Sequence, residues 1–348
     1  MDVSVDSEKN GFDILRYVAA VSVMLLHYSG YAMILSDQAM GVMNVFRRTA
    51  LLFPGVVILF TISGFLVSAS YERAKTRREF FRRRFLRIYP ELWICTLVNL
   101  TVVCVLVPDR LDRSMIVWLA TQIFGIANTP ACLKTFATGS INGVLWTVFT
   151  EVQLYFLLGA AYSFLQKRKS GSWTALLAAL AALNLTCGKL AQGADGIAAK
   201  LIERSFLPYA LWFFIGVFCY QKRQRMLPML KKAFVPLLLV YFISGSLIGE
   251  LPGYYTNIAT SVCLPFIVIG GGYFLPKIRL KADLSYGMFL YHWIILNIIV
   301  WFDLMNRQVW YQTLILFAAA TLVAAEASRR LNRLCSRLYS KNERIVKN

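Results

Sequence analysis

Ile14-Leu-Arg16-Tyr-Val-Ala-Ala-Val-Ser-Val-Met-Leu-Leu-His27-Tyr-Ser-Gly-Tyr-Ala-Met-Ile34 is an apolar run interrupted by one arginine and one histidine. A helix that crosses a bilayer needs ~20 mostly apolar residues, and this run has that length. Further stretches of the same kind fall at 51–70, 90–107, 141–165, 173–190, 205–220, 233–249, 255–274, 284–302 and 312–328. The reading is an all-α, polytopic transmembrane bundle of about ten helices, organised as one domain over residues 1–348. The stretch 114–127 is apolar but too short to cross, and is expected to lie in the interface or re-enter.

Composition agrees with lipid as the main solvent. Hydrophobic residues make up 58% of the chain and charged residues 16%, against about a quarter charged in soluble domains. No internal repeat, long linker or second soluble domain is visible. The first residues include Asp2, Asp6 and Glu8, whereas a signal peptide starts basic, so the first span is expected to be retained.

The net charge is +19. Such an excess suits either nucleic acid or a membrane surface, and position decides for the membrane. With the N-terminus inside, the loops at 71–89, 166–171, 221–232 and 275–283, the tail from 329 and Lys9 carry 27 Lys and Arg, the outside carries nine, and Arg16 completes 37. Cytoplasmic loops are enriched in these residues, so both termini are expected in the cytoplasm. No nucleic-acid partner is expected. Seven cysteines, none in a CxxC pair, suggest neither a metal site nor a disulfide framework.

Ionisable groups deep in a bilayer are costly and usually functional. The chain has two histidines, His27 and His292, both inside apolar spans. His27 lies thirteen residues into the first span, ~20 Å along a helix. Arg16 precedes it by eleven residues, which at ~100° per residue returns almost to the same face. One face would thus present a guanidinium near the water boundary and a proton-exchanging imidazole deep inside. A plain core histidine, and an Arg16 that anchors topology or pairs with Asp13, are the structural alternatives.

Glu151 lies ten residues into its span, ~15 Å deep, level with His27. A carboxylate bonded to an imidazole fixes its tautomer and raises its basicity; a structural bridge to Gln153 or Asn142 is the alternative. In the basic loop, Arg84 and Arg87 stand at i, i+3 among Phe80, Phe81, Phe85 and Leu86. Such a helix suits an anionic lipid surface, and the arginine forks also suit phosphate. Ser63-Gly64 supplies either close helix packing or a hydroxyl donor beside a reacting group.

These fragments together resemble the acyltransferase-3 family of membrane acyltransferases. The blocks are Phe12 to Arg16 with His27 after ten further residues, Ile62-Ser-Gly-Phe-Leu66, Arg83-Arg84-Phe-Leu-Arg87-Ile-Tyr-Pro90, Leu145-Trp-Thr with Glu151 and Tyr155, and Leu284 to Trp293. They occur in order and cover about residues 11 to 328. Ile294 departs from the proline that many members carry after His-Trp. The resemblance implies O-acylation of a carbohydrate, most often with acetyl, in the bacterial inner membrane. Acetyl-coenzyme A is the expected cytoplasmic donor, a substrate rather than a tightly bound cofactor. The extra SGNH-type domain of some members is not expected here.

On that reading His27 is the base or the acyl acceptor, held by Glu151. Arg16, Arg84 and Arg87 meet the donor's phosphates, Ser63 and His292 polarise the thioester or orient the substrate, and Trp146, Tyr291 and Trp293 stack on the sugar or on the adenine. Direct transfer and an acyl-histidine intermediate both stay open, as does assembly of several copies. A proton-coupled transporter or flippase is the rival reading, with Gly270-Gly-Gly272 as its candidate helix break.

Overall fold

The computed structural model describes residues 11–193, 196–248, 251, 253, 254, 257–274 and 282–345. Among these, every regular element is helical: α1 Phe12–Leu35, α2 Met40–Leu52, α3 Gly55–Glu72, α4 Arg77–Leu106, α5 Ser114–Ile123, α6 Leu145–Gln166 and α7 Ser170–Gly193. Then follow α8 Ile197–Glu203, α9 Ala210–Gln221, α10 Arg223–Ser246, α11 Ile258–Phe274, α12 Ser285–Trp301, α13 Leu304–Arg307 and α14 Trp310–Ile345. Of the charge pattern read above, Asp2, Asp6, Glu8, Lys9, Lys277, Arg279, Lys281 and Lys347 lie outside the described residues.

Among the described residues, six stretches are long and apolar enough to cross a membrane: Phe12–Leu35, Met40–Glu72, Arg77–Leu106, Leu145–Gln166, Ser170–Gly193 and Arg223–Ser246. The chain is a multi-pass integral membrane protein. The short α5 keeps Trp118 buried and exposes Ile116 and Val117, which gives it a packed face and an apolar outer face.

The sequence divides 71–89 from a span at 90–107, whereas the structure runs α4 through Pro90 as one helix. Proline removes one backbone donor and crowds the preceding turn. The loss of that single bond is outweighed here by packing on both sides: Phe80 and Ile88 before the proline and Leu92 and Cys95 after it are all buried. The supposed break at Gly270-Gly-Gly272 is also absent, since α11 continues to Phe274. Its glycine has a steric reason: a Cβ on Gly272 would stand 2.2 Å from the Phe12 ring.

The described chain packs as two compact units, each assembled from interleaved segments. The first unit comprises Met1–Ala19, Leu52–Arg84 and Thr150–Lys281; the second comprises Ala20–Leu51, Phe85–Phe149 and Ala282–Asn348.

In the first unit α3 and α9 press backbone to backbone. A Cβ on Gly64 would meet the Phe213 carbonyl at 2.0 Å, and one on Gly216 would meet the Thr61 carbonyl at 2.2 Å. This close approach is the small-residue packing that replaces the hydrophobic drive between helices in lipid. At one end of this unit, Glu72 closing α3, Gln166 closing α6 and Gln221 closing α9 line a common cavity with the start of α10. At the other end the Tyr241 hydroxyl donates to the Leu52 carbonyl, and Asn184 joins Pro208 to Tyr254.

In the second unit α12 packs on α14, where Gly287 faces Ala325 so closely that a Cβ would stand 2.8 Å away. The segment between α5 and α6 packs Leu133, Phe136 and Ile141 into a core with Val103 of α4, Val107 just after it and Trp118 of α5. A loop of this length with little helix is usually functional, and this one is firmly seated.

Candidate active site

His27 lies on α1 and His292 on α12, and both belong to the second unit. His27 Nδ1 stands 2.9 Å from His292 Nε2. The ring planes are 7° apart with centroids 5.2 Å apart, so the rings meet edge to edge, with each nitrogen in the plane where its lone pair or proton lies.

The tautomers follow from the next contact. His292 Nδ1 lies 3.1 Å from the Met288 carbonyl, and a carbonyl oxygen only accepts. His292 therefore carries its proton on Nδ1, and as a neutral ring presents a lone pair at Nε2. His27 Nδ1–H must donate to it. The remaining nitrogen, His27 Nε2, is then unprotonated and has no partner among the described residues. The pair forms a directed chain from Met288 to one free lone pair.

The surroundings hold that geometry. His292 is fully buried while His27 is partly exposed. Val18 and Val21, the exposed valines of α1, lie ~180° and ~120° around the helix from His27, so the imidazole does not share their flank. The Trp293 ring stands edge-on to His27 at 4.7 Å. Its indole N–H donates to Thr138 Oγ1 and to the Ser140 carbonyl, both at 3.1 Å. Asn297 accepts from Thr138 N–H and O–H and donates to the carbonyls of Ser140 and Ile141.

The loop reaches this position through Ala137 at φ 45° and Gly139 at φ 77°. The left-handed region suits glycine but strains alanine, and both positions flank the Thr138 that Asn297 clamps. A side chain at position 143 would collide with the Trp293 ring at 2.4 Å. Thr138, Ser140, Gly143 and Asn297 were not singled out in the sequence. The only hint was an Asn one turn beyond His292-Trp293.

Glu151 belongs to the first unit. Within that unit its carboxylate has two hydroxyl partners. Glu151 Oε1 accepts from Ser63 Oγ at 2.7 Å and from the Tyr155 hydroxyl, one turn along α6. Ser63 and Tyr155 also bond each other at 3.3 Å. Equal depth along a helix says nothing about which way a side chain faces, and the hydroxyls nearest Glu151 satisfy it locally. Of the two readings of Ser63-Gly64, close packing is met by Gly64, while the Ser63 hydroxyl donates to Glu151.

The two arginines expected on one face have separate partners. Arg84 Nη2 donates to Ser70 Oγ at 3.1 Å, and its guanidinium lies 5.9 Å over the Tyr155 ring. Its Nε–H is buried without a partner among the described residues. Arg87, the more exposed, pairs with Asp283 at 3.3 Å. Arg16 pairs with Asp13 at 2.7 Å on the first turns of α1. Tyr291 is 1% exposed and donates to Ser328, so it has no open ring face for a sugar. Trp146 is half-buried.

A family model described as an acyltransferase domain matches residues 9–327. Nodulation protein 10 of Rhizobium leguminosarum bv. viciae is 29% identical over 330 residues, covering 84% of each chain. A protein of Shigella phage Sf6 named O-acetyl transferase is 24% identical over 298 residues, covering 84% of this chain and 86% of its own. No solved structure matches the chain.

Proposed function

The chain belongs to the acyltransferase-3 family, and from that premise we propose that it moves an acetyl group from acetyl-coenzyme A to a hydroxyl of a carbohydrate at the bacterial inner membrane. The observation that carries the chemical half is the His27–His292 pair, which leaves one directed lone pair at His27 Nε2. An O-acyl transfer needs a base for the attacking hydroxyl, and an imidazole is suited to that work near neutral pH.

In the proposed reaction, His27 Nε2 takes the proton as the hydroxyl oxygen attacks the thioester carbonyl. The new C–O bond forms, the C–S bond breaks, and the coenzyme thiolate takes the proton back from the imidazolium. His292 steadies the charged ring through Nε2, with its own N–H tied to Met288. The donor's phosphates are read by guanidinium groups, with Arg84 foremost because one of its N–H groups is unused, and Arg16 and Arg87 assisting. Glu151 is a positioning residue that orients Ser63 and Tyr155 beneath Arg84. Trp146 is the ring proposed to stack on the acceptor.

The charge alternation supports ten crossings with both termini in the cytoplasm and a cytoplasmic donor. Purified protein in lipid nanodiscs should transfer label from acetyl-coenzyme A to a glycan acceptor, with surface glycans losing O-acetyl mass in cells that lack the protein. Coenzyme A release without glycan product, or glycan transport without acetylation, would contradict the proposal.

A further inference from the structure

The first unit holds a second polar constellation, lined by none of the candidate site residues above. Its cavity, about 350 Å³, is lined by Glu72, Gln166, Gln221, Lys222, Arg223, Gln224 and Arg225. That size sits at the small end of ligand sites, ~300–1,000 Å³. It suits a nucleoside-sized group and not a whole acyl donor.

The lining separates into used and unused groups. The Glu72 carboxylate accepts from the Tyr162 and Tyr220 hydroxyls, both at 2.9 Å, and faces Arg223 at 3.4 Å. Arg223 also lies 4.4 Å over the Tyr220 ring and donates to the Tyr220 carbonyl. Lys222 Nζ donates to the Arg168 carbonyl. Gln221 is the exception: its amide nitrogen and amide oxygen are both buried, and neither has a partner among the described residues. Buried polar atoms are paired in the great majority of cases, so an amide with both ends idle on a cavity wall calls for an explanation.

The same wall carries three cations against one carboxylate, and that carboxylate is fully engaged. The occupant is therefore anionic, and it carries a hydrogen-bond donor and an acceptor side by side. Phosphate offers the charge without the donor edge. The amide of Gln pairs bidentately with adenine through its amino group and a ring nitrogen. An adenine nucleotide has both features.

We infer that Gln221 reads the adenine of a phosphorylated nucleoside in this cavity, with Arg225 and Lys222 near its ribose phosphate and the pyrophosphate left to the guanidinium groups named above. Resting on the donor reading above, this makes the cavity the seat of the nucleotide end of acetyl-coenzyme A.

The test uses the full chain in nanodiscs and adenosine 3′,5′-bisphosphate, followed by equilibrium dialysis. Saturable binding is expected. Gln221→Leu, and the same-sized Gln221→Glu that removes the amide donor, should each weaken it about tenfold or more. Arg225→Gln, an exposed change that leaves folding intact, should weaken it several-fold and flatten its salt dependence. In turnover, Gln221→Glu should raise the KM for acetyl-coenzyme A about tenfold with kcat kept, and leave acetyl-pantetheine, which lacks the nucleotide, unaffected. A wild-type protein that turns over acetyl-coenzyme A but does not bind the bisphosphate overturns the cavity and leaves the function standing. Displacement by equal inorganic phosphate, or binding indifferent to both Gln221 variants, overturns the adenine assignment. Bisphosphate binding through Gln221 in a protein that never uses acetyl-coenzyme A overturns the assignment to the donor.

Discussion

Two polar clusters, one in each unit, leave opposite valences open. In the second, the chain from Met288 through His292 to His27 ends in an unused lone pair. In the first, the cluster of Ser63, Glu151, Tyr155 and Arg84 ends in an unused N–H on Arg84. A free lone pair can take a proton; a free guanidinium donor can only give a hydrogen bond to an oxygen. On the proposed function the open lone pair is the base and the open N–H a ligand for the donor's phosphate. Hydrogen-bonded groups inside an apolar bundle are ordinarily closed on themselves, so the open ends are where function is to be sought.

That contrast is broken most severely at His27. His27→Ala should lower kcat roughly 10³-fold, within the range for losing a general base, with the protein still inserted and its thermal midpoint little changed; a variant that keeps wild-type kcat removes His27 as base. His292→Ala should cost less, about 100-fold in kcat, through loss of the tautomer. A buried carboxylate in the same orienting position is worth more, ~10⁴-fold, because it brings a full charge. If steady-state assays show His292→Ala to be as active as wild type, the pair is only packing.

The first unit should respond in KM. Arg84→Gln is expected to raise the KM for the donor about tenfold, an amount in keeping with one charge-assisted hydrogen bond, with kcat kept. Arg84→Lys should not restore it, since a point charge cannot keep both the Ser70 bond and the second N–H. A fall in kcat alone would move Arg84 from grip to chemistry. Last, Gly64→Ala should act on neither parameter but on stability. The Phe213 carbonyl already occupies the space at 2.0 Å, so overpacking should cost ~1–3 kcal/mol, read as a lower thermal midpoint in detergent; an unchanged midpoint would show that α3 and α9 can part.

The sequence disclosed the helices well, because burial in lipid demands long apolar runs and these can be counted. Each expected span has a helix, and 114–127 holds only the ten-residue α5. The expected boundary at 89/90 does not appear, because burial on both sides carries α4 through Pro90. The family blocks point to His27 and His292 separately, but not to their contact. His27 and His292 are 265 positions apart, and nothing local marks such a pair. Ser63 and Tyr155 as partners of Glu151 could not be read from depth, which fixes one coordinate of three. The loop that seats Trp293 carries no regular period, so Thr138 and Ser140 gave no signal, and Gln221 reads in sequence as an unremarkable polar end to an apolar helix.

The directed pair can be seen without any assay. Only two histidines are present, so ring-¹⁵N labelling yields four signals that His292→Ala assigns at once. In nanodiscs at neutral pH, His27 should carry its proton on Nδ1 and none on Nε2, His292 should carry its proton on Nδ1, and a coupling should connect His27 Nδ1–H to His292 Nε2. A His27 ring protonated at Nε2, or two rings without that coupling, would contradict the account.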